Sequence, residues 1–412
     1  MILPSDDDSA PSDAPAGPLA GIRVLDLSTI VAGPLGAALL ADLGAEVLKV
    51  EMPGEGDHIR QLPPHKDGIS LWSKVTNRNK RGVTLDLRDP RGRAVLERML
   101  PSYDVLVENF RPGTLAAWGL DADRLRKLNP RLIVTRVTGF GQTGPYANRP
   151  GFARIFEALS GFVNLCGDPG SPPTFPGVPV ADVLTGVFTA FSVCAALVQR
   201  NADPAGEGQE IDLSATEAMF RVMDFMAIEY DQLGKIRGRT GNLNAYSAPG
   251  DVYRTRDGKW VALAVSAPAV FRRLATAWQR PDLLADPRFV SNADRLSHRE
   301  AIEAIAQAWF GERTLVEASS VLLAHDVSFS PIFDIRDIFN DPHFEARKAI
   351  VSVKDDQLGW VRMQGVVPRF SKTPGRVWAS GPEAGQHNAD VYGAEMGMSD
   401  SVLQELREKG VI

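Results

Sequence analysis

The carboxylate of Asp182 stands in the stretch TFPGVPVADVLTGVFTAF, where a small-residue, proline-rich approach meets a long apolar run. An acid at that place suits an N-cap, its charge set at the positive end of a helix. It also suits a nucleophile. An enclosed carboxylate can attack a thioester to give a mixed anhydride and a free thiolate, and nearby glycine N–H groups can hold the tetrahedral oxyanion. On the residues alone both readings are open.

Three other stretches could bind a ligand. The turn TIVAGP (29–34) leads from a strand into a helix, where backbone N–H groups can hold a phosphate, and Glu51 ends the next strand where dinucleotide folds keep a ribose-binding acid. Gly33 and Gly36 do not make a G-x-G-x-x-G, so a plain tight turn explains them equally well, and no Walker A run occurs. The stretch NRNKRGVTLDLR (77–88) supplies Arg78, Lys80, Arg81 and Arg88, a set that suits a polyphosphate or a solvated basic edge. In VENFRPG (107–113) Asn109 can offer a donor and an acceptor and Phe110 an apolar face, with a strand-ending turn as the alternative.

Other chemistry finds less support. The six histidines form no HExxH or close HxH pair, Cys166 and Cys194 have no local histidine, and no GxSxG occurs. His325 and Asp326, in AHDVSFSPIFD, read as ordinary loop positions with a cleft-lining role as the alternative.

The elements that must position these residues alternate regularly. GIRVLDLS, AGPLGAALLADLG and AEVLKVE make a strand, a helix and a strand. Strands follow at 82–87, 104–110 and 131–137, with helices over 90–100 and before Pro130. This pattern predicts a mostly parallel sheet covered by helices, with ligands at the carboxyl ends of its strands. Beyond about 200 the texture changes: YSAPGDVYRTRDGKWVALAVSA reads as an antiparallel pair, 266–345 as helical, and the end as strand-like segments before a helix near 399–408. The fold class is α/β, a large α/β domain interrupted or followed by a smaller α+β one.

Composition agrees with an enzyme. The 412 residues carry 51 acids against 45 Lys plus Arg, a net charge of −6, which disfavours non-specific nucleic-acid binding. Two cysteines point to a reducing compartment rather than a disulfide framework. The apolar run 183–199, with its Gly, Ser and Thr residues, reads as a buried helix and not a membrane anchor, and MILPSDDDSAPSDAPAG reads as a disordered tail and not a targeting signal.

Read together, GIRVLDLSTIVAGPLGAALLADLGAEVLKVEMPGEGD, NRNKRGVTLDLRDPRGR, DVLVENFRPGTLAAWGL, LNPRLIVTRVTGFGQTGP, GVPVADVLTG, GQEIDLSATEA and SKTPGRVWASGPEAGQHN follow one another over roughly residues 20–390. In this the sequence resembles the class III coenzyme A transferase family, which holds formyl-CoA, carnitine and dicarboxylate CoA-transferases and the related α-methylacyl-CoA racemases. The resemblance implies a Rossmann-like large domain built from both chain ends around a smaller middle domain, and an interlaced homodimer. Its boundaries fall at 1–19 (disordered tail), 20–225 and 346–412 (large domain) and 226–345 (small domain with linkers).

By the same resemblance the catalytic aspartate is Asp182. The CoA-contacting positions are Val31 and Ala32, the run Leu85, Asp86, Leu87, Arg88, the run Asn109, Phe110, Arg111, and Arg149, while Arg60 and Tyr146 are candidates for the acid. No metal and no tightly bound cofactor is implied; CoA and acyl-CoA are substrates, the partner is a small carboxylic acid, and the location is cytoplasmic. Val31 replaces the glutamine of formyl-CoA transferase, Ala117 and Met52 replace arginines, and the tetraglycine loop is missing from 241–250, which tells against formate or oxalate. Phe152 and Ala153 stand where racemases keep a histidine and an aspartate, so that branch, kept as the alternative beside a CoA- or nucleotide-binding module, lacks its acid–base pair. The implied activity moves CoA from an acyl-CoA, with succinyl-CoA the favoured donor, to a C4 or C5 dicarboxylate such as citramalate, mesaconate, malate or itaconate.

Overall fold

In the computed structural model the described residues are 17–412, so the expected tail lies outside them up to position 16. At its expected end the tail reading fails: Leu19 donates its N–H to Leu43 O (2.9 Å) and packs on the core.

Short apolar runs build one parallel sheet from β1 (Arg23–Asp26), β2 (Glu46–Glu51), β3 (Lys80–Thr84), β4 (Val105–Glu108), β5 (Ile133–Thr138) and β6 (Glu210–Ser214). Their spatial order is β3-β2-β1-β4-β5-β6, and every neighbouring pair is parallel. Alternate residues serve opposite faces. Val24, Val47, Val105 and Ile133 pack with helices α1 (Ala32–Asp42) and α5 (Val180–Ala202), while Leu25, Leu48, Leu106 and Val134 pack with α2 (Pro90–Met99) and α3 (Ala122–Leu128). Both faces are covered, which is why these strands read as nearly unbroken hydrophobic runs. The order reverses between β1 and β4, and the crevice beyond the carboxyl ends there is where such sheets hold ligands.

The edge strand β3 is closed by a distant part of the chain. Gly82 N–H donates to His387 Nδ1 (3.0 Å), Thr84 N–H to Asn388 Oδ1 (2.9 Å), and Tyr392 O–H to Thr84 O (2.9 Å). Tyr392, Leu403, Leu406, Val411 and Ile412 then complete the core on that side.

The described residues separate into two compact units, one of 17–162, 176–225 and 346–412, the other of 163–175 and 226–345. The second holds a small antiparallel sheet, Val252–Arg254, Trp260–Leu263 and Phe329–Pro331, with helices around Trp278, Trp309 and Phe310. The sequence expectation puts residues 163–175 in the large domain. They group with the second unit because Gly241 N–H donates to Gly167 O (3.0 Å) and Asn164 Nδ2 to Arg237 O (3.2 Å).

Helix α5 departs from the expected buried helix. Ala181, Thr185, Thr189, Val193, Ala196 and Leu197 form its buried face, but Phe191 is 67% and Val198 70% exposed. By length and composition it could cross a membrane. Its inner face instead packs on α1 and β5 of the same unit.

Candidate active site

The turn after β1 rests on buried charge. Asp26, Lys49 and Lys80 interrupt three neighbouring strands, and each is sealed from solvent. Lys80 Nζ donates to Asp26 Oδ2 (2.8 Å), Pro34 O (2.7 Å) and Asn77 Oδ1 (2.9 Å), and Lys49 pairs with Asp57 (3.0 Å). Burial pushes the Lys80 ammonium down to about 8, the attraction of Asp26 opposing it. Burial would raise the Asp26 carboxyl, yet Lys49 and Lys80 together hold it below its ordinary value.

From this base the turn is fixed residue by residue. Asp57 Oδ1 accepts the N–H of Ile30 (2.9 Å), which sits at φ 69°, a left-handed conformation that a β-branched residue seldom adopts. Asn109 Oδ1 accepts the N–H of Thr29 (2.7 Å), and its Nδ2 donates to Thr29 O (2.8 Å). Val31 is buried at the N-cap of α1 and Ala32 begins the helix, so this stretch offers backbone N–H groups, not side chains, to a ligand.

The head of α1 lies against α5. A Cβ on Gly36 would stand 2.6 Å from Thr189 Cβ, and one on Gly186 would stand 3.1 Å from Ala32 O. Only glycine permits that approach at Gly36. Asp182 lies one helical turn before Gly186, at the same end as the TIVAGP turn. Pro179 holds the N-cap position, so Asp182 is a first-turn residue and the N-cap reading is corrected. Burial, with the Glu157 carboxylate as a second cause, raises Asp182 to about 6. Glu157 is itself buried, and its Oε1 accepts the N–H of Ala181 (3.2 Å).

At the ends of β2, β3 and β4 an apolar cavity of about 90 Å³ is lined by Val50, Met52, Leu85, Leu87, Phe110 and Trp118. Phe110 meets Trp118 edge to face, ring centres 5.2 Å apart. Three expected CoA-contacting residues, Leu85, Leu87 and Phe110, thus share one slot that suits a flat apolar ring. Arg88 reaches Met52 Sδ (3.2 Å) on its wall while pairing with Asp86 (2.9 Å). Arg111 is exposed just beyond Phe110.

Other expected residues are differently employed. Arg60 Nε and Nη2 clasp the buried Glu51 (2.7 and 2.5 Å), so it is not a free fork for an acid, and Glu51 is not a free ribose acceptor. The amide of Asn109 is taken up by Thr29. The basic cluster is paired throughout: Arg78 with Asp42, Lys80 with Asp26, Arg81 with Glu395 and Arg88 with Asp86. Arg149 lies over the Tyr146 ring (4.2 Å), and Tyr146 packs edge-on to Phe140, which packs on Phe156 beside Ala181. His325 and Asp326 lie in the second unit, where Asp326 pairs with Arg273 (3.4 Å). Among the described residues no group of three His, Cys, Asp or Glu is placed to hold a metal.

Sequence reasoning misses Glu157, Asp57 and Trp118. Glu157 carries a faint signal, since in ARIFEAL it falls four residues after Ala153 on the apolar side of helix α4 (Ala153–Leu159).

The model of CoA-transferase family III matches residues 19–388. The chain belongs to that family. The class III enzyme is 42% identical to the succinyl-CoA–D-citramalate CoA-transferase of Chloroflexus aurantiacus, over 97% of this chain and 100% of that one. It is also 42% identical to the beta subunit of that organism's succinyl-CoA–L-malate CoA-transferase (96% and 98% covered), and 36% identical to the succinate–glutarate CoA-transferase of Agrobacterium fabrum (91% and 94%). The crystal structure of a CAIB/BAIF family protein from Brucella suis matches this CoA-transferase with a TM-score of 0.82 and 33% identity, over 92% of this chain and 100% of that one.

Proposed function

We propose that this CoA-transferase moves coenzyme A from succinyl-CoA to a C4 or C5 dicarboxylate of the citramalate, mesaconate, malate or itaconate kind, with Asp182 as the nucleophile. The observation that carries the reading is the Asp182 carboxylate at the head of α5, raised to about 6 and set beside the turn that opens α1. Such a group is ionised at neutral pH yet more basic than a free aspartate, which suits attack on a thioester.

Asp182 Oδ bonds to the thioester carbonyl, the C–S bond breaks, and CoA leaves as thiolate. The thiolate attacks the aspartyl carbonyl, releasing the donor acid as a carboxylate and leaving an aspartyl-CoA thioester. The acceptor carboxylate reverses the sequence. Acyl energy is retained throughout, so the enzyme's task is to hold CoA and exclude water. The adenine ring is assigned to the slot of Leu85, Leu87 and Phe110, the phosphates to the α1 turn at Val31 and Ala32 with Arg88 and Arg111, and the acceptor's second carboxylate to Arg149 beside Tyr146. The names of the citramalate, malate and glutarate enzymes support a dicarboxylate. Against a racemase, Phe152 is 69% exposed and neither it nor Ala153 can move a proton.

The chain is further proposed to act in the cytoplasm as an interlaced homodimer of two-domain subunits. Supporting this, Val187, Phe191 and Val198 on α5 and Phe152 and Ile155 beside it leave a broad apolar face uncovered. Incubating the enzyme with succinyl-CoA and a panel of acids, each new acyl-CoA being read by mass, tests the substrate assignment. Transfer to monocarboxylates only would overturn the dicarboxylate reading.

A further inference from the structure

Glu157 is the buried acid that the reaction above leaves unused. Its side chain is 1% exposed, within a cluster of Ala153, Phe156, Ala181 and Met219. Its Oε1 accepts the N–H of Ala181, the residue before the nucleophile. An apolar or amide side chain would pack there without the desolvation that a carboxylate suffers, so a use for the charge is the economical explanation.

We propose that Glu157 is a positioning residue for the acyl-transfer nucleophile: from beneath the first turn of α5 it fixes the backbone at Ala181 and sets a negative charge against Asp182, favouring the states in which Asp182 is acylated and neutral. This rests on the reading of Asp182 as nucleophile. When Asp182 Oδ bonds to the thioester carbonyl and the C–S bond breaks, the negative charge departs on the CoA thiolate. When the thiolate then takes the aspartyl carbonyl and the donor acid leaves as a carboxylate, Asp182 stays neutral as the thioester. Each product removes the charge of Asp182, on which the Glu157 charge acts unfavourably in the resting enzyme, and collapse back restores the repulsion. The raised titration of Asp182 reflects the same repulsion added to burial.

On the elements packed against α5, Asp42 lies on α1, Arg154, Glu217 and Arg221 on the flanking helices, and Arg136, Glu210 and Asp212 on β5 and β6. None of them displaces Asp182, whose shift traces to burial and Glu157.

The test compares Glu157→Gln, which keeps an acceptor for Ala181 but removes the charge, with Glu157→Ala, which removes both. Asp182 is titrated directly in full-length protein labelled with 13C at aspartate carboxyls, its resonance assigned with Asp182→Asn. In Glu157→Gln the Asp182 midpoint is expected to fall by at least about half a unit, and the fraction of enzyme trapped as the Asp182 adduct with succinyl-CoA to fall about threefold, the equivalent of that half unit. An unmoved midpoint in a folded Glu157→Gln protein overturns the charge role whatever the substrate. A midpoint that moves while wild-type enzyme forms no Asp182 adduct with succinyl-CoA or acetyl-CoA overturns the nucleophile reading instead, and with it the catalytic use of Glu157. Loss of adduct in Glu157→Ala but not in Glu157→Gln reduces Glu157 to a backbone support and overturns the inference.

Discussion

Asn109 holds Thr29 by both ends of its amide, accepting the Thr29 N–H at 2.7 Å and donating to the Thr29 carbonyl at 2.8 Å across 80 residues of chain. The pair ties the end of β4 to the turn after β1 at the place where the sheet order reverses. Replacing Asn109 by Ala breaks two hydrogen bonds in a partly buried site, which costs about 1 to 3 kcal/mol of stability. If the turn cradles CoA, urea unfolding shows that loss together with a KM for acyl-CoA that rises several-fold while kcat changes less.

Asp182→Asn is expected to abolish transfer and to stabilise the fold. The carboxyl rises from 3.8 to about 6 on folding, so its ionisation opposes the folded state at neutral pH by at most about 3 kcal/mol. The sign fixes the window. The folded chain binds the extra proton between about 4 and 6, so the variant's advantage is full above 6 and vanishes below 4. Thermal unfolding at pH 7.5 and pH 4 checks both ends.

On the proposed mechanism the same displacement is expected to set the acid limb of catalysis. With Asp182 as the proposed nucleophile, falling pH protonates it near 6, so kcat/KM with succinyl-CoA should rise tenfold per unit below 6 and level off above it. A limb near 4, at the value of an ordinary aspartate, would show that a different group limits the reaction.

Arg60→Ala is expected to act on stability before substrate. Its guanidinium closes on Glu51, whose side chain is sealed from solvent, so removing it strands a buried carboxylate at about 3 to 5 kcal/mol. Denaturation should report a large loss, and surviving enzyme should keep its order of preference among acceptor acids.

Gly36→Val should be harmful for want of room. A Cβ already meets Thr189 at 2.6 Å, and a branched side chain would drive α1 from α5, at about 1 to 3 kcal/mol or more. Pairing it with Thr189→Ala, measured as a double-mutant cycle, should recover part of the loss.

The parallel sheet was legible in the sequence because strands covered on both faces carry short unbroken β-branched and leucine runs, such as the VL of RVLD, the VLV of VLVE and the IV of IVTRVT. Asp182 was legible as an acid between a proline-rich approach and an apolar helix. What misled was local grouping. Arg78, Lys80 and Arg81 look like one basic patch, but Asp42, Asp26 and Glu395 meet them from 36, 54 and 314 positions away, and no window of sequence displays those partners. Asn109 reads as a free amide for the same reason. Glu157 escapes notice because one acid on a short helix resembles any solvated residue until its neighbours are in place.

The closure of β3 sets a timetable for the ribosome. The His387 ring that accepts from Gly82 is made 305 residues after it, about 15 to 60 seconds later at 5 to 20 residues per second. Throughout that interval the nascent sheet shows an unpaired edge and a half-built core, a surface that chaperones recognise and that neighbouring nascent chains can join.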